Sequence, residues 1–244
     1  MRIEGQRVHA TFLRRVNRFA VDVKHLDQVI RAHLANSGRL SELLVAGERV
    51  LLVARPSPTR KTRYDLALVR HHGPWVSVDA RKPGPLLAEA IAEHRLLEFA
   101  EYRVARTEPA NPKAKAGGTP KRARAVRGRF DLLLEGPRGP CYVETKSVTL
   151  VEDGRALFPD ARTKRGARHM RELADLAERG TEAAAVFVVQ RADVREFAPH
   201  WQSDPHFGWE LVAARRAGVR VLACRCKVTP YEVTIIDTIP IVLV

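Results

Sequence analysis

The chain has 244 residues, 45% of them hydrophobic, with 42 Lys or Arg against 28 Asp or Glu and a formal net charge of +14. That length holds one large domain or two modest ones around a real core. Three cysteines argue against a disulfide framework, and the absence of an apolar run of about 18 residues or of a secretory leader argues against a membrane span or export. A reducing, cytoplasmic setting is therefore expected. The positive surplus points to a polyanionic partner, nucleic acid being the commonest, with a merely Arg-rich soluble protein as the plain alternative.

Residues 1 to about 80 read as β-rich. Arg7 to Arg14 and Asn17 to Lys24 alternate in polarity, and Gln28 to His33 follows as a third strand. Ser37 to Leu44 suggests a turn and a short helix. Gly47 to Arg55, Arg63 to Arg70 and Trp75 to Val78 are further strands. Short strands at this spacing, with Gly and Pro between them, predict a small barrel.

The period changes over residues 84–98, where Leu86, Leu87, Ala90, Ile91 and Leu97 suit one helical face and Pro85 the first turn. Residues 106–128 carry Pro, Gly and many Lys and Arg, including Lys121, Arg122 and Arg124. This composition buries little apolar surface and predicts a mobile basic insertion. From Phe130 the order becomes strand, strand, helix, strand, helix, strand, which predicts an α/β layer structure. The helices are Thr163 to Arg179 and Phe207 to Ala217, each stopped by Gly; the strand between them, Ala184 to Gln190, is nearly all apolar. Cys224 and Cys226 share one face of the strand Val219 to Lys227 and read as core thiols.

The chemistry concentrates in one predicted hairpin. Phe130 to Leu134 and Cys141 to Lys146 flank a four-residue loop at Gly136 to Gly139, which sets Asp131 opposite Glu144. Alternation puts Glu144 and Lys146 on one face. Two carboxylates, with the Thr145 main-chain carbonyl as a candidate third oxygen, suit a hard cation, Mg²⁺ or Mn²⁺. Lys146 suits the orientation of a water or the stabilisation of a phosphoryl transition state. The plain alternative is an exposed edge pair of little consequence. Glu89, on the preceding helix, is a candidate third acidic ligand. Lys164, Arg165, Arg168 and His169 crowd the start of the next helix, as phosphate contacts or as a solvated face, and His169 suits a passive or a proton-carrying role. In the N-terminal half Arg14, Arg15 and Arg18 flank Phe12 and Phe19, with Arg39, Arg60, Lys61 and Arg63 as further cations. With 6% aromatic residues, contact to the nucleic-acid backbone is expected over extensive base stacking, hence weak sequence preference and strong salt dependence.

The chain resembles the sugar fermentation stimulation protein family of bacteria and archaea over almost its whole length. The resemblance rests on Phe12-Leu13-Arg14-Arg15 with Arg18-Phe19, on His33 to Leu40, on Pro58 to Thr62, on Arg129-Phe130-Asp131, on Tyr142 to Leu150, on Leu157 to Ala161, on Arg165-Gly166 with His169, and on Phe187 to Arg191. It implies an α+β/α/β protein: an N-terminal OB-like β-barrel, residues 1–82, and a C-terminal restriction-endonuclease-like mixed sheet with helices, similar to PD-(D/E)XK nucleases, residues 83–244. It also implies DNA binding and a regulatory role in sugar (maltose) metabolism. In that pattern Asp131 and Glu144 map to the metal carboxylates, Lys146 to the lysine and Glu89 to a helical Glu; Arg129 joins the candidate nucleic-acid-binding cations. Residues 106–128 look longer and more basic than the usual connection, as an added DNA-contacting arm would. A DNA-binding regulator, a Mg²⁺- or Mn²⁺-dependent deoxyribonuclease and an RNA-binding protein are the readings left open. The oligomeric state is open too, a homodimer included.

Overall fold

The computed structural model of the chain describes residues 1–112 and 129–244. Strands β1 (Arg7–Asn17), β2 (Ala20–His25), β3 (Gln28–His33), β4 (Arg49–Ala54) and β5 (Tyr64–Arg70) run in the order β3-β2-β1-β4-β5. A parallel bridge from β3 to β5 closes them into an OB-like barrel, and β6 (Trp75–Ser77) extends β5. Phe12, Val21, Val23, Leu34, Val50 and Leu52 fill the barrel. Leu51 and Val53 point the other way, into a second core with Leu86, Leu87, Ala90 and Ile91 of helix α1 (Pro83–Ala92). After the exposed Arg49, strand β4 is apolar from Val50 to Ala54 because both its faces are covered.

The C-terminal half is a six-stranded mixed sheet in the order β15-β14-β12-β9-β8-β7, made of β7 (Arg103–Thr107), β8 (Leu132–Gly136), β9 (Gly139–Val148), β12 (Glu182–Val189), β14 (Arg220–Val228) and β15 (Val233–Ile239). A small sheet of β10 (Val151–Glu152), β11 (Arg155–Phe158) and β13 (Glu196–Pro199) lies beside it. Alternation along β9 decides which side of the sheet each residue meets: Cys141 and Val143 pack with α1, Tyr142 and Val148 with α2 (Lys164–Ala177) and α3 (Pro205–Arg216). The cysteines are buried and free, with burial pushing Cys141 and Cys226 up to about 12.

Several expectations are corrected here. The α1 helix ends at Ala92, because His94 takes a left-handed conformation (φ 54°) and Arg95 N donates to Ala90 O at 2.9 Å. The chain then turns Leu96 inward and leaves Leu97 87% exposed. Ser37 to Leu44 makes one hydrogen-bonded turn at Leu40 to Leu44, not a helix, because Leu40 sits at φ 51°. Residues Arg106 and Thr107 belong to β7, so part of the proposed insertion is sheet edge; 113–128, with Lys121, Arg122 and Arg124, lie outside the described residues. The hairpin loop is two residues, Pro137-Arg138, since Gly136 and Gly139 are paired. Among the described residues, no helix is long and apolar enough to cross a membrane.

Helix α2 is placed by two caps. Thr163 Oγ1 accepts from Gly166 N at 3.0 Å, and Asp204 caps α3 by accepting from Phe207 N at 3.1 Å. The other oxygen of Asp204 accepts from Thr163 N at 2.8 Å, so one carboxylate pins the starts of both helices. Asp204→Ala should cost roughly 1.5–3 kcal/mol of unfolding free energy, a lost cap plus an unpaired donor, and Asp204→Asn less, read from chemical denaturation midpoints.

Candidate functional site

A cleft of about 880 Å³ opens between the barrel and the mixed sheet. Asn36, Gly38, Arg18 and Leu40 line it from the barrel; Asp131, Glu144, Thr145, Lys146, Asp160 and Arg165 line it from the other side. The extended hairpin register carries Asp131 opposite Glu144, as Leu132 pairs with Val143. Asp131 Oδ2 accepts from Thr145 N at 2.7 Å and from Thr145 Oγ1 at 2.6 Å, which fixes that carboxylate against β9. Gly84 of α1 packs against this pair: a Cβ added there would meet the Asp131 Cβ at 3.6 Å, an ordinary van der Waals contact.

Glu144 is 4% exposed. Its Oε1 takes Lys146 Nζ at 2.5 Å and a short hydrogen bond from His169 Nδ1. Arg165 Nε donates to His169 Nε2 at 3.4 Å, which keeps the imidazole proton on Nδ1, facing Glu144. Glu144 Oε2 is buried with no hydrogen-bond partner. Burial pushes the Asp131 carboxyl above the usual carboxylate range and the neighbouring Glu144 charge adds to this, against the two bonds from Thr145. Burial also pushes Glu144 upward, but Lys146 and His169 outweigh it and hold Glu144 below its ordinary value. One carboxylate of the pair is thus held ionised while its neighbour resists ionisation.

These residues fit a hard divalent cation. A buried carboxylate oxygen without a partner is costly as it stands, and Asp131 beside it gains a reason to ionise when a positive charge arrives. Among the described residues no cluster of three or more His, Cys, Asp or Glu side chains could hold a metal, so the acidic set is these two. A cation of the Mg²⁺ type, held by one or two carboxylates and otherwise by water, matches that small set.

Glu89 does not join them. It faces away from the cleft and accepts from the Met1 amine at 2.5 Å, with Arg95 at 3.6 Å. The predicted cations divide as well. Arg18 and Arg165 line the cleft. Arg14 is paired with Asp22, Arg60 with Asp65, Arg129 with Glu108 and Arg168 with Glu172. Lys61, Lys164 and Arg39 are exposed beyond the cleft lining. Arg15 is an internal brace: its guanidinium donates to the carbonyls of Gly38, Arg39 and Arg18 at 2.6, 2.8 and 2.8 Å. Sequence reasoning missed Arg81, Arg162 and Asp160 in the cleft. Asp160 Oδ2 accepts from Arg39 N at 2.6 Å and Leu40 N at 3.4 Å, joining the barrel loop to the sheet domain. The Pro159-Asp160 segment itself was visible as a motif, but its partner 121 positions away was not.

Residues 82–232 match the family model described as the sugar fermentation stimulation protein RE domain, and residues 13–78 the SfsA N-terminal OB domain. A sugar fermentation stimulation protein homolog of Moorella thermoacetica is 43% identical over 238 residues, 97% of each chain. A homolog of the same name from Alkaliphilus metalliredigens is 37% identical, covering 98% of each. The solved structure of Pyrococcus furiosus SfsA in complex with Ca²⁺ superposes with a TM-score of 0.86 at 30% identity, covering 99% of this chain and 98% of that one.

Asp131→Asn should raise the thermal midpoint at neutral pH in the absence of divalent cation. A carboxyl whose folded pKa exceeds its ordinary 3.8 stabilises the fold most below that value and loses this contribution as pH rises through the folded pKa. The amide does not titrate, so the variant's advantage should widen as pH climbs through that window. Melting curves at a series of pH values check this; a variant less stable than the parent at every pH would mean the carboxylate serves the fold.

Proposed function

The chain belongs to the sugar fermentation stimulation protein family, and from that premise we propose that it is a DNA-binding protein whose cleft hydrolyses a phosphodiester with the help of a divalent cation. The observation that carries this reading is the unpartnered, buried Oε2 of Glu144 beside Asp131 and Lys146. Asp131, Glu144 and the Thr145 carbonyl would hold the cation, and the complex of the Pyrococcus furiosus relative with Ca²⁺ supports a hard-cation site. When bound, the cation would neutralise phosphoryl charge and acidify a water. The chain's own residues do the rest. Lys146 Nζ, held at the mouth of the carboxylate pair, donates toward the charge that develops on the phosphate. His169 holds the Glu144 carboxylate in one orientation. Arg18, Arg162 and Arg165 on the cleft lining contact the backbone, which gives affinity with little sequence preference. Phe158 is the one aromatic side chain among the described residues lining the cleft, so effects on sugar fermentation would be exerted through nucleic acid rather than through a stacked sugar.

A second reading, a DNA-binding regulator without cleavage, is favoured by one feature: Lys146 Nζ is already engaged by Glu144 and lies 3.4 Å from His169 Nδ1. Cleavage assays separate the two. On the first reading, Mg²⁺ or Mn²⁺ supports DNA cleavage, Glu144→Ala abolishes it, and Lys146→Met slows it about 10²–10³-fold with binding nearly unchanged. Binding without cleavage in either metal would select the regulator, and tighter binding of RNA than of DNA of the same sequence would select an RNA-binding role. On either DNA reading the cation should raise the melting temperature of the parent protein and leave that of Asp131→Ala unchanged, as differential scanning fluorimetry would register.

A further inference from the structure

The barrel carries one exposed aromatic that is held too firmly to be an incidental surface residue. Phe19 sits at the tip of the β1–β2 hairpin and is 47% exposed. Its N–H donates to Asn17 Oδ1 at 2.9 Å. Its carbonyl accepts from Leu34 N at 2.9 Å and from His33 Nδ1 at 3.0 Å. The Phe19 backbone is therefore fixed while its ring faces solvent. Two further planar groups gather around that ring: the Arg18 guanidinium, 5.4 Å from its centroid, and the His33 imidazole, 6.4 Å away and inclined by 32°. Single exposed hydrophobics are ordinary, but one flanked by a guanidinium and an imidazole offers a set of stacking faces with a positive edge.

The tip is also tied to the cleft. Arg15 donates to the Arg18 carbonyl and, with its other nitrogen, to the carbonyls of Gly38 and Arg39. Arg18 and Gly38 both line the cleft. A ligand stacked on Phe19 would thus lie beside the cleft that leads to Asp131 and Glu144.

We propose that Phe19, with Arg18 and His33, is a stacking platform for an unpaired base, and that the nucleic acid entering this cleft is single-stranded where it crosses the barrel. The proposal rests on the nucleic-acid reading of the cleft and deepens it by naming the strand state. A duplex keeps its base faces stacked within the helix and offers none to Phe19. An unpaired strand offers one at every nucleotide, and because every base has a π-face, the contact discriminates strand state without discriminating sequence. Arg18 and Arg162, both exposed, would take the flanking phosphates.

The test is fluorescence anisotropy with the full chain, comparing a labelled single-stranded oligonucleotide with the duplex of the same sequence, at fixed salt and with Ca²⁺ present. Phe19→Leu should weaken single-strand binding about tenfold or more, the scale of one lost base–aromatic stack, and change duplex binding less than about twofold. Phe19→Tyr should retain single-strand affinity, which separates loss of the π-face from loss of fold. Phe19→Trp should add to the emission of Trp75, Trp201 and Trp209 an indole signal that the single strand quenches and the duplex does not, read as the difference from the parent protein. Equal loss on both substrates, or loss on neither, would overturn the platform and leave the cleft reading intact. A parent protein that binds neither substrate would overturn both.

Discussion

Burying the Glu144 carboxylate is the constraint around which the C-terminal half is arranged. Removing a charge from water costs several kcal/mol unless partners compensate. Lys146 compensates only because β9 is a strand, which returns residue 146 to the face of residue 144. His169 compensates only because α2 starts where Thr163 and Asp204 hold it, one turn and a half before the imidazole. The parallel neighbour β12 then seals the same region with Ala185 and Phe187, the residues in register with Glu144 and Lys146. All of this satisfies Oε1. The protein leaves Oε2 unsatisfied beside a second carboxylate, and that is where an external cation gains most.

The cleft is a property of both halves together. Gln190, fully buried just past the end of β12, accepts from Ser77 Oγ at 2.7 Å and donates to the Asp79 carbonyl at 3.1 Å and to Ser147 Oγ at 2.8 Å. Ser77 ends the barrel's last strand, and Ser147 follows Lys146. Asn36 donates to the Val78 carbonyl at 3.0 Å, while Asp160 receives the amide of Arg39. The Gln190 bonds to Ser77 and Asp79 and the Asn36 bond are made away from bulk water, where a missing partner costs more than the bond is worth, whereas the Arg39–Asp160 bond is solvent-exposed. The barrel loop at Asn36 to Leu40 is therefore held from its own side by Arg15 and from the opposite side by Asp160. Asp79 helps close this seam through its backbone carbonyl, which receives Gln190, while its carboxylate pairs with Arg81.

The parts legible in the sequence were those set by local pattern. Alternation and turn chemistry give the barrel strands and the hairpin, and alternation alone puts Glu144 and Lys146 together. What escaped depended on distant partners or on departures from period. Leu97 fits the helical face of Leu86 and Ile91, yet the left-handed turn at His94 ends that face first. The strands β10, β11 and β13 are two to four residues long, too short for any period to register. Glu89 has the right charge on the right helix, but its orientation is decided by the Met1 amine 88 positions away. Likewise the sequence shows which residues are basic, and only the fold shows that Arg14, Arg60 and Arg15 serve carboxylates and carbonyls of their own chain.

That division of cations sharpens the electrostatics of the proposed function. A net charge of +14 raises the local concentration of a polyanion around the whole molecule, whichever arginines carry it. Inside the cleft the field is different: Asp131 and Glu144 repel the phosphate that Arg18, Arg162 and Arg165 attract. On the proposed reading, a cation held by the carboxylates would remove that repulsion, and a bound phosphate would add oxygens that the two carboxylates alone do not supply. Each ligand therefore improves the site for the other, and thermodynamic linkage makes the two enhancements equal. On this reading the acidic pair gates binding as well as chemistry, so the same two residues that would hold the metal also set how strongly the polyanion is held at the reaction centre.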